Sequence, residues 1–249
     1  MHSRRVNNKI IISIDGNIGS GKSTFFNQLK DKLNDRKDIL FLEEPVDSWD
    51  KVRDENDKTI LEKYCNDQEK YGFSFQIMAC VTRMKLLMDA LKVPNINFII
   101  SERSIITDKN VFAKMLFDDK KIENINYEIY KLFYNAHRDM IQNIVIVYIQ
   151  TDPKICKERI QKRNRKGEDS IPIEYLEMCH KYHESWIMNE NVNHKMIING
   201  NSDNYKNPEM KETWINKFIQ FLNYYHTNYI NDSNNFTFTN KKKNNILCV

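Results

Sequence analysis

The sequence is poor in the residues that interrupt regular structure, and it has no long apolar run. Of its 249 residues only 6 are glycine and 5 are proline, so little in the chain breaks helices or strands. No stretch approaches the roughly 18 consecutive apolar residues of a transmembrane helix, which predicts no contact with a membrane. The 5 cysteines are odd in number and form no C-x-x-C pair. They argue against a disulfide framework or zinc site and favour a reducing compartment.

An excess of one charge is also missing. Lysine and arginine number 38 against 34 acidic residues, and the two signs are interspersed. This balance indicates no nucleic-acid surface, since arginine clusters that bind a nucleotide account for the net charge of +4. The first predicted strand begins too early for a full targeting peptide to precede it, so we expect a cytoplasmic protein.

Strand-like and helix-like segments alternate, which predicts an α/β fold with a five-stranded parallel sheet flanked by helices. The predicted strands cover residues 10–15, 39–43, 97–101, 144–150 and 195–198. The predicted helices cover residues 23–33, 51–64, 71–92, 109–117, 127–141, 153–163, 172–189 and 208–225. Residues 1–229 are therefore expected to form a single domain. Residues 230–249 are rich in asparagine and lysine, and we expect a disordered tail there.

Half of the glycines lie in one loop between the first strand and the first helix. The loop matches G-x-x-x-x-G-K-[ST] and consists of Gly16, Asn17, Ile18, Gly19, Ser20, Gly21, Lys22 and Ser23, with Thr24 following. Strand, loop and helix in this order are the context of the phosphate-binding P-loop, whose backbone N–H groups surround phosphates. Lys22 would reach the β- and γ-phosphates of ATP, and the Ser23 hydroxyl would bind Mg²⁺. An incidental glycine turn is the alternative.

Charged residues follow the second and third predicted strands. Glu44 comes just after one, and Glu102 with Arg103 comes after the other. Because ligands bind outside the carboxyl ends of parallel strands, these side chains should meet the P-loop at one rim. Glu44 is the candidate general base, Glu102 a candidate Mg²⁺ ligand, and Arg103 a bridge between phosphate donor and acceptor. The alternative for Glu44 is a capping or surface glutamate. The alternative for Glu102 and Arg103 is a structural ion pair at the end of the sheet.

Two further groups of polar residues lie on predicted helices. Arg159 and Arg163 share a helix face and Arg165 follows in the loop at 164–170, which predicts an arginine-rich lid over ATP. An amphipathic surface helix would show the same spacing. In the helix at 71–92, Gln76 and Arg83 share a face and could read a base edge, although an exposed polar edge is the alternative. The apolar stripe predicted beside them comprises Ile77, Val81, Met84, Met88 and Leu91.

Together these motifs resemble the deoxycytidine, deoxyguanosine and deoxyadenosine kinases. The resemblance runs from about residue 10 to about residue 222 and rests on GNIGSGKST, EEPVDSW, FSFQIMACVTR, SERSIITD and RIQKRNRKGEDSIPIEYLEMCHKYHESW. It implies a P-loop kinase fold, ATP with Mg²⁺ as phosphate donor, the 5′-hydroxyl of a deoxyribonucleoside as acceptor, and a homodimer formed by helix packing.

The resemblance also implies roles for individual residues. It assigns the base to Glu44, a place near Mg²⁺ and the reacting phosphate to Glu102 and Arg103, and the lid to Arg159, Arg163 and Arg165. Its implied substrate-binding set is Glu44, Trp49, Tyr64, Gln76, Arg83, Arg103, Asp108 and Glu168, with Glu168 and Tyr64 on the sugar 3′-hydroxyl. A buried Arg83–Asp108 pair would favour deoxycytidine and purine deoxynucleosides over thymidine, because it leaves little room for a 5-methyl group.

Two other functions remain open from the sequence. A nucleoside monophosphate kinase would share the P-loop but would need additional cations for the acceptor phosphate, whereas the Glu44-Pro45 placement favours a hydroxyl acceptor. A non-catalytic P-loop regulator would bind ATP without turnover. A GTPase switch would need an N-K-x-D element, which the sequence does not contain in a fitting place.

Overall fold

The computed structural model describes residues 9–141, 143–165, 168, 171–189, 192, 194–202, 208–230 and 245–248. Its parallel sheet has the strand order β2-β3-β1-β4-β5-β6. The strands are β1 Ile10–Gly16, β2 Ile39–Leu42, β3 Phe98–Glu102, β4 Ile144–Gln150, β5 His194–Asn199 and β6 Asn245–Cys248. The predicted α/β class and all five predicted strands are confirmed.

Helices cover both faces of this sheet. They are α1 Lys22–Lys32, α2 Val46–Trp49, α3 Ile60–Asn66, α4 Gln68–Lys92, α5 Ile105–Thr107, α6 Lys114–Asp118, α7 Asn124–His137, α8 Pro153–Arg163, α9 Ile173–Ile187 and α10 Pro208–Tyr225. A π-helical turn, Asp108–Ala113, joins α5 to α6, a second one, His226–Ile230, follows α10, and a 3₁₀ turn, Arg138–Ile141, follows α7. Within the described residues, none of these helices combines the length and apolar character needed to cross a bilayer.

Register brings the functional segments to one edge of the sheet. Ile14 of β1 pairs with Glu102 at the end of β3, and Gly16 pairs with Ile149 of β4. Every residue of β1 is buried, as expected for a central parallel strand covered on both faces. One core cluster packs α1 and α10 against the sheet, and a second packs α4 and α7 against its other face.

The predicted helix at 51–64 was wrong over most of its length. Residues 52–59 form turns, closed by an isolated antiparallel bridge between Arg53 and Thr59. The helix α3 begins only after Thr59, because the Thr59 side chain accepts from the Glu62 N–H while the Glu62 carboxylate accepts from the Thr59 N–H. This reciprocal capping fixes the start of the helix more strongly than the preceding apolar spacing does.

The apolar stripe predicted on α4 was wrong at Val81, which is 42% exposed, whereas Met84 is buried and Ile77, Met88 and Leu91 pack against the core. Cys80, Arg83 and Leu87 are buried as well. The buried face of the helix is therefore wider than the predicted stripe and includes a charged side chain. Arg83 tolerates burial because two carboxylates lie against its guanidinium, a tertiary effect that hydropathy cannot report.

The end of the chain differs from the expected disordered tail. Asn245–Cys248 forms β6 and pairs in parallel with β5, for example Lys195 with Ile246. In the described part of the chain, the sheet therefore gains a sixth strand beside the five predicted ones. The apolar run Ile246-Leu247-Cys248 has strand character, and the edge of β5 offers it unpaired backbone groups. Residues 231–244, where the rest of this expectation falls, lie outside the described part of the chain.

Candidate active site

The P-loop lines one end of a cavity of about 340 Å³. Its turn depends on Gly19, which has φ +76° and whose position leaves no space for a side chain. A Cβ there would lie 2.5 Å from the carbonyl oxygen of Cys156 in α8. Since φ in this range is costly for other residues, glycine is needed for both conformation and space. The tight turn leads directly into the N-terminus of α1 at Lys22.

Lys22 is buried within this loop. Its ammonium donates to the carbonyl of Asn17 at 2.7 Å, and the Asn17 side-chain amide donates to the carbonyl of Leu176 in α9 at 2.8 Å. Burial lowers the pKa of Lys22 to about 8, and Arg103 acts in the same direction. The loop is thus attached to α9, and its lysine is a cation that loses its proton more readily than usual.

Ser23 and Glu102 meet at the start of α1. The Ser23 hydroxyl donates to Glu102 Oε1 at 2.6 Å, joining the P-loop helix to the end of β3. In the described part of the chain, no three histidine, cysteine, aspartate or glutamate side chains cluster closely enough to hold a metal by themselves. One hydroxyl and one carboxylate are nevertheless a fitting donor set for Mg²⁺, which binds oxygen ligands and takes its remaining ligands from phosphates and water.

Glu44 lies at the centre of the charged residues. Arg83 Nη2 contacts its Oε1 directly, and Arg103 Nε lies 3.4 Å from the same oxygen. Burial alone would raise the pKa of Glu44, but Arg83, Arg103 and Lys22 outweigh it and hold the pKa below its ordinary value. The carboxylate is therefore ionised at neutral pH and able to accept a proton.

Arg103 reaches Glu44 because of an unusual backbone conformation. Its φ is +64°, in the left-handed region that non-glycine residues seldom adopt. Its Nη1 donates to the Gly16 carbonyl at 3.1 Å, and its guanidinium lies 4.7 Å from the centre of the Phe112 ring. A backbone cost of about 1–3 kcal/mol is typical where a functional side chain must be aimed, and here it aims Arg103 between the P-loop and Glu44.

Arg83 also binds Asp108. Its Nη1 donates to both carboxylate oxygens of Asp108, at 2.8 and 2.9 Å. Burial opposes the charge on Arg83, but Asp108 and Glu44 outweigh it and raise the pKa, so the guanidinium stays charged. Asp108 occupies the first position of the π-helical turn and is 2% exposed. The buried Arg83–Asp108 pair predicted from the sequence is present.

Aromatic rings surround this pair. Trp49 donates from its indole N–H to Thr82 Oγ1 at 2.9 Å, and its ring lies 5.0 Å from the Arg83 guanidinium. Phe75 packs edge-on against Trp49 with centroids 5.5 Å apart. Gln76 follows on α4, is buried, and also lines the cavity. A flat, polar-edged compound fits such a chamber, since its faces meet rings and its edge meets Gln76, Arg83 and Asp108.

Tyr64 and Glu168 also line the cavity. The Tyr64 ring stacks on Phe75 at 4.5 Å, and its hydroxyl lies 2.9 Å from the hydroxyl of Tyr175. Glu168 Oε2 contacts Arg163, and its Oε1 lies 3.3 Å from Arg165 Nη1. Residues 166, 167, 169 and 170 of the lid loop lie outside the described residues.

Not every residue predicted to bind ATP lines the cavity. Arg159 instead donates to the carbonyl of Ser20 and to that of Ser202, each at 3.1 Å. It thereby ties α8 to the back of the P-loop. The other predicted residues that do not line the cavity are Gly16, Asn17, Ser20, Gly21 and Thr24.

The chain is similar in sequence to known proteins. A family model described as deoxynucleoside kinase matches residues 12–223 of the chain. The chain belongs to the deoxynucleoside kinase family. It is therefore an enzyme, a transferase, and the resemblance drawn from the motifs is confirmed. A kinase of this family phosphorylates nucleosides, which removes the non-catalytic regulator as an alternative.

Relatives of this kinase match most of its length. It is 32% identical over 218 residues to a probable deoxycytidine kinase of fowlpox virus, covering 85% of this chain and 87% of the relative. It is 31% identical over 201 residues to human deoxycytidine kinase, covering 73% and 76%. It is 29% identical over 197 residues to a mitochondrial deoxyguanosine kinase of Xenopus laevis, covering 71% and 72%.

Sequence reasoning missed several residues that line the cavity of this kinase. The most informative are apolar or aromatic: Phe75, Ala79, Phe112 and Tyr175. None carries a charge or belongs to a phosphate-binding motif, so only three-dimensional proximity identifies them. Tyr175 had a faint signal, since it stands in the first turn after Pro172 within the block that resembles the family.

Proposed function

We propose that this deoxynucleoside kinase transfers the γ-phosphoryl group of ATP to the 5′-hydroxyl of a deoxyribonucleoside. Deoxycytidine, deoxyadenosine or deoxyguanosine would be preferred over thymidine, and the product would be a deoxynucleoside monophosphate. Glu44 carries the proposal, because it is a partly buried, ionised carboxylate that lines one cavity with Lys22 and Ser23 of the P-loop. Phosphoryl transfer needs such a group beside the phosphates to orient and deprotonate the acceptor.

In this mechanism Glu44 accepts the 5′-hydroxyl proton as the oxygen attacks the γ-phosphorus. The bond from that phosphorus to the β–γ bridging oxygen breaks, and ADP leaves. Arg103 contacts both Glu44 and the P-loop carbonyl of Gly16, so it is suited to stabilise charge between donor and acceptor. A positioned base contributes roughly 10²–10⁴-fold.

Mg²⁺ would be held by Ser23 and Glu102, whose oxygens are 2.6 Å apart. When bound, such an ion neutralises charge on the β- and γ-phosphates. The protein side of this site is the rigid link between the first turn of α1 and the end of β3. It keeps the phosphate cradle at a fixed distance from Glu44 and Arg103.

Arg83 and Asp108 support the preference among bases. The pair is buried beside Gln76 and presents charged hydrogen-bonding groups to a base edge. A base that leaves such groups unpaired is rejected strongly, whereas one with a matching amino or keto edge is accepted. The 5-methyl group of thymine would meet a polar wall here.

The lid residues support a closing step. Arg163 and Arg165 line the cavity and are partly exposed, so they can turn to ATP phosphates, which bind guanidinium groups well. Glu168, released from them, would accept a hydrogen bond from the sugar 3′-hydroxyl, with Tyr64 as its partner. Arg159 would act by holding the P-loop rather than by touching the nucleotide.

A second copy of the chain is the proposed partner. Ile125, Ile129 and Leu132 form one stripe on α7 and are 66%, 46% and 70% exposed. Val81, 42% exposed, is a further exposed apolar residue on α4, which packs against α7. Apolar residues in such a stripe are expected to be covered by another subunit. A Leu132→Glu variant should shift the molar mass measured by light scattering from dimer to monomer.

The test of the proposed function is one set of kcat/KM values with ATP and Mg²⁺. The acceptors are deoxycytidine, deoxyadenosine, deoxyguanosine and thymidine, with the four corresponding monophosphates measured beside them. We expect turnover of at least one of the first three nucleosides and poor turnover of thymidine. Turnover of the monophosphates alone would replace the nucleoside with a nucleotide as acceptor and refute the proposal.

A further inference from the structure

Tyr175 lines the cavity but has no assigned role in the proposed reaction. It lies in the first turn of α9 and is 7% exposed, and its hydroxyl is 2.9 Å from that of Tyr64, which is 5% exposed. The two phenols come from different elements, since Tyr64 belongs to α3 and Tyr175 to the helix that follows the lid loop. Their contact joins α3 to α9 in the wall of the cavity.

The backbone that carries Tyr175 is firmly held. Pro172 precedes α9, and the carbonyl of Leu176 accepts the 2.8 Å hydrogen bond from Asn17 of the P-loop. The first turn of α9 is therefore attached to the phosphate-binding loop. The backbone of Tyr175 consequently has a fixed place relative to that loop.

The ring of Tyr64 is fixed in a different way. It stacks on Phe75 with an interplanar angle of 13°, and its helix begins at the reciprocal cap of Thr59 and Glu62. Stacking sets the plane of the ring but does not set the direction of the O–H bond. Burial raises the pKa of both phenols, so both keep their protons. The hydrogen bond with Tyr175 orients the Tyr64 hydroxyl, on which the Gln76 side chain also acts, since a buried phenol without a partner is costly.

We propose that Tyr175 is a positioning residue that holds the Tyr64 hydroxyl in the orientation required to bind the sugar 3′-hydroxyl. This inference rests on the proposed function, in which Tyr64 contacts that hydroxyl. Tyr175 acts through Tyr64 and not on the substrate itself. Its effect should therefore depend on whether the substrate has a 3′-hydroxyl and on whether Tyr64 has its own.

The experiment compares Tyr175→Phe, Tyr64→Phe and the double variant. Each is assayed with a 2′-deoxynucleoside and with the 2′,3′-dideoxynucleoside of the same base, and kcat and KM are determined separately. We expect Tyr175→Phe to lower kcat/KM about tenfold for the 2′-deoxynucleoside, a loss of about 1.4 kcal/mol, and less than about twofold for the dideoxynucleoside. The double variant should be no worse than Tyr64→Phe alone, because the two residues act in series.

Tyr182→Phe is the matched control. It removes a hydroxyl from the same helix, where Tyr182 donates to Asp118 at 2.6 Å outside the cavity lining. This variant should keep wild-type kcat/KM for both substrates. Thermal melting of every variant checks that the fold is intact.

The outcomes distinguish the positioning role of Tyr175 from the sugar contact of Tyr64 on which it depends. If Tyr64→Phe depends on the 3′-hydroxyl but Tyr175→Phe does not, the positioning role is refuted while the sugar contact of Tyr64 survives. If neither variant depends on the 3′-hydroxyl, the sugar assignment of Tyr64 fails and the inference fails with it. Additive losses in the double variant would mean that Tyr175 touches the substrate directly, which also refutes a positioning role.

Discussion

The P-loop half of the cavity comes from one continuous stretch, residues 16–24, whereas the half around Glu44 comes from side chains of several separate elements. In the first half the backbone conformation sets the shape of the loop, and Gly19 has a φ of +76°, which other residues adopt only at a cost. In the second half Glu44, Arg83 and Asp108 approach one another from the segment after β2, from α4 and from the π-helical turn. A short motif can encode the first arrangement, but only folding creates the second.

The largest expected effect comes from removing the charge on Glu44. Glu44→Gln keeps the shape of the side chain but cannot take a proton, so kcat should fall by roughly 10²–10⁴-fold. The Kd for ATP, measured by titration calorimetry, should stay within about twofold because the P-loop half is untouched.

The adjacent glutamate supplies the control for this experiment. Glu43→Gln changes an exposed residue that pairs with Lys30, and it should leave kcat unchanged. A wild-type kcat in Glu44→Gln would remove Glu44 from the mechanism.

The Glu44 half of the cavity can also be altered by replacing both members of the buried Arg83–Asp108 ion pair. Arg83→Met with Asp108→Ala opens space and removes unmatched polar groups. The ratio of kcat/KM for thymidine to that for deoxycytidine should rise by about 10- to 200-fold, the range that one methyl group can supply. An unchanged ratio would refute this account of the pocket.

The single variant Arg83→Met shows how far Asp108 depends on its cation. Arg83→Met leaves Asp108 buried without its cation, so it should cost about 3–5 kcal/mol in unfolding free energy, more than the double variant. Urea denaturation of both proteins provides the measurement. Equal stability of the two would show that Asp108 does not depend on Arg83.

The P-loop half should respond to a backbone substitution instead. Gly19→Ala places a methyl group against the Cys156 carbonyl at φ +76°. A strain of about 1–3 kcal/mol would raise the Kd for ATP by roughly 5- to 150-fold. The Kd for the nucleoside alone should change much less.

Gly72→Ala is the matched substitution on α4. A Cβ at Gly72 would make only ordinary contacts, the nearest at 3.5 Å to the Lys121 carbonyl oxygen. This variant should bind ATP like the wild type. If both alanine variants weaken ATP equally, the special conformation of Gly19 is not the cause.

The smallest expected effect is a pH dependence of kcat/KM that differs between the P-loop half and the Glu44 half of the cavity. Burial raises the pKa of Asp108 to about 6, although Arg83 opposes it, while burial lowers the pKa of Lys22 to about 8. Below pH 6 Asp108 gains a proton and loses its charge, so kcat/KM for the nucleoside should fall about tenfold per pH unit. Above pH 8 Lys22 loses its proton and its charge, so kcat/KM for ATP should fall similarly.

Asp108→Asn tests the acidic limit, because it removes the titrating group and should abolish the fall below pH 6. Glu44 should not produce this limit, since its neighbouring cations hold its pKa below the ordinary value. If kcat/KM for the nucleoside and kcat/KM for ATP both fell only below neutral pH, or both only above it, the division of the cavity into two halves would be contradicted.

Much of the fold and part of the site could be predicted from the sequence. The five predicted strands follow from local apolar runs. The P-loop follows from a motif in which Gly16, Gly19 and Gly21 adopt positive φ angles. The placement of Glu44 and Arg103 at strand ends was also predictable, because parallel strands bring their carboxyl ends to one edge. The turns before α3 were not, since a side-chain cap at Thr59 overrides the helical spacing before it.

The sequence by itself determined the α/β class, the phosphate-binding loop and the family, because each depends on residues close together in the chain. Only the tertiary structure decided which face of α4 is buried, that Arg159 supports the P-loop from behind, and that Tyr175 reaches Tyr64. It also decided that Asn245–Cys248 joins the sheet. These features depend on contacts between residues far apart in sequence, whose energies come from ion pairing, hydrogen bonding and close packing that no local pattern records.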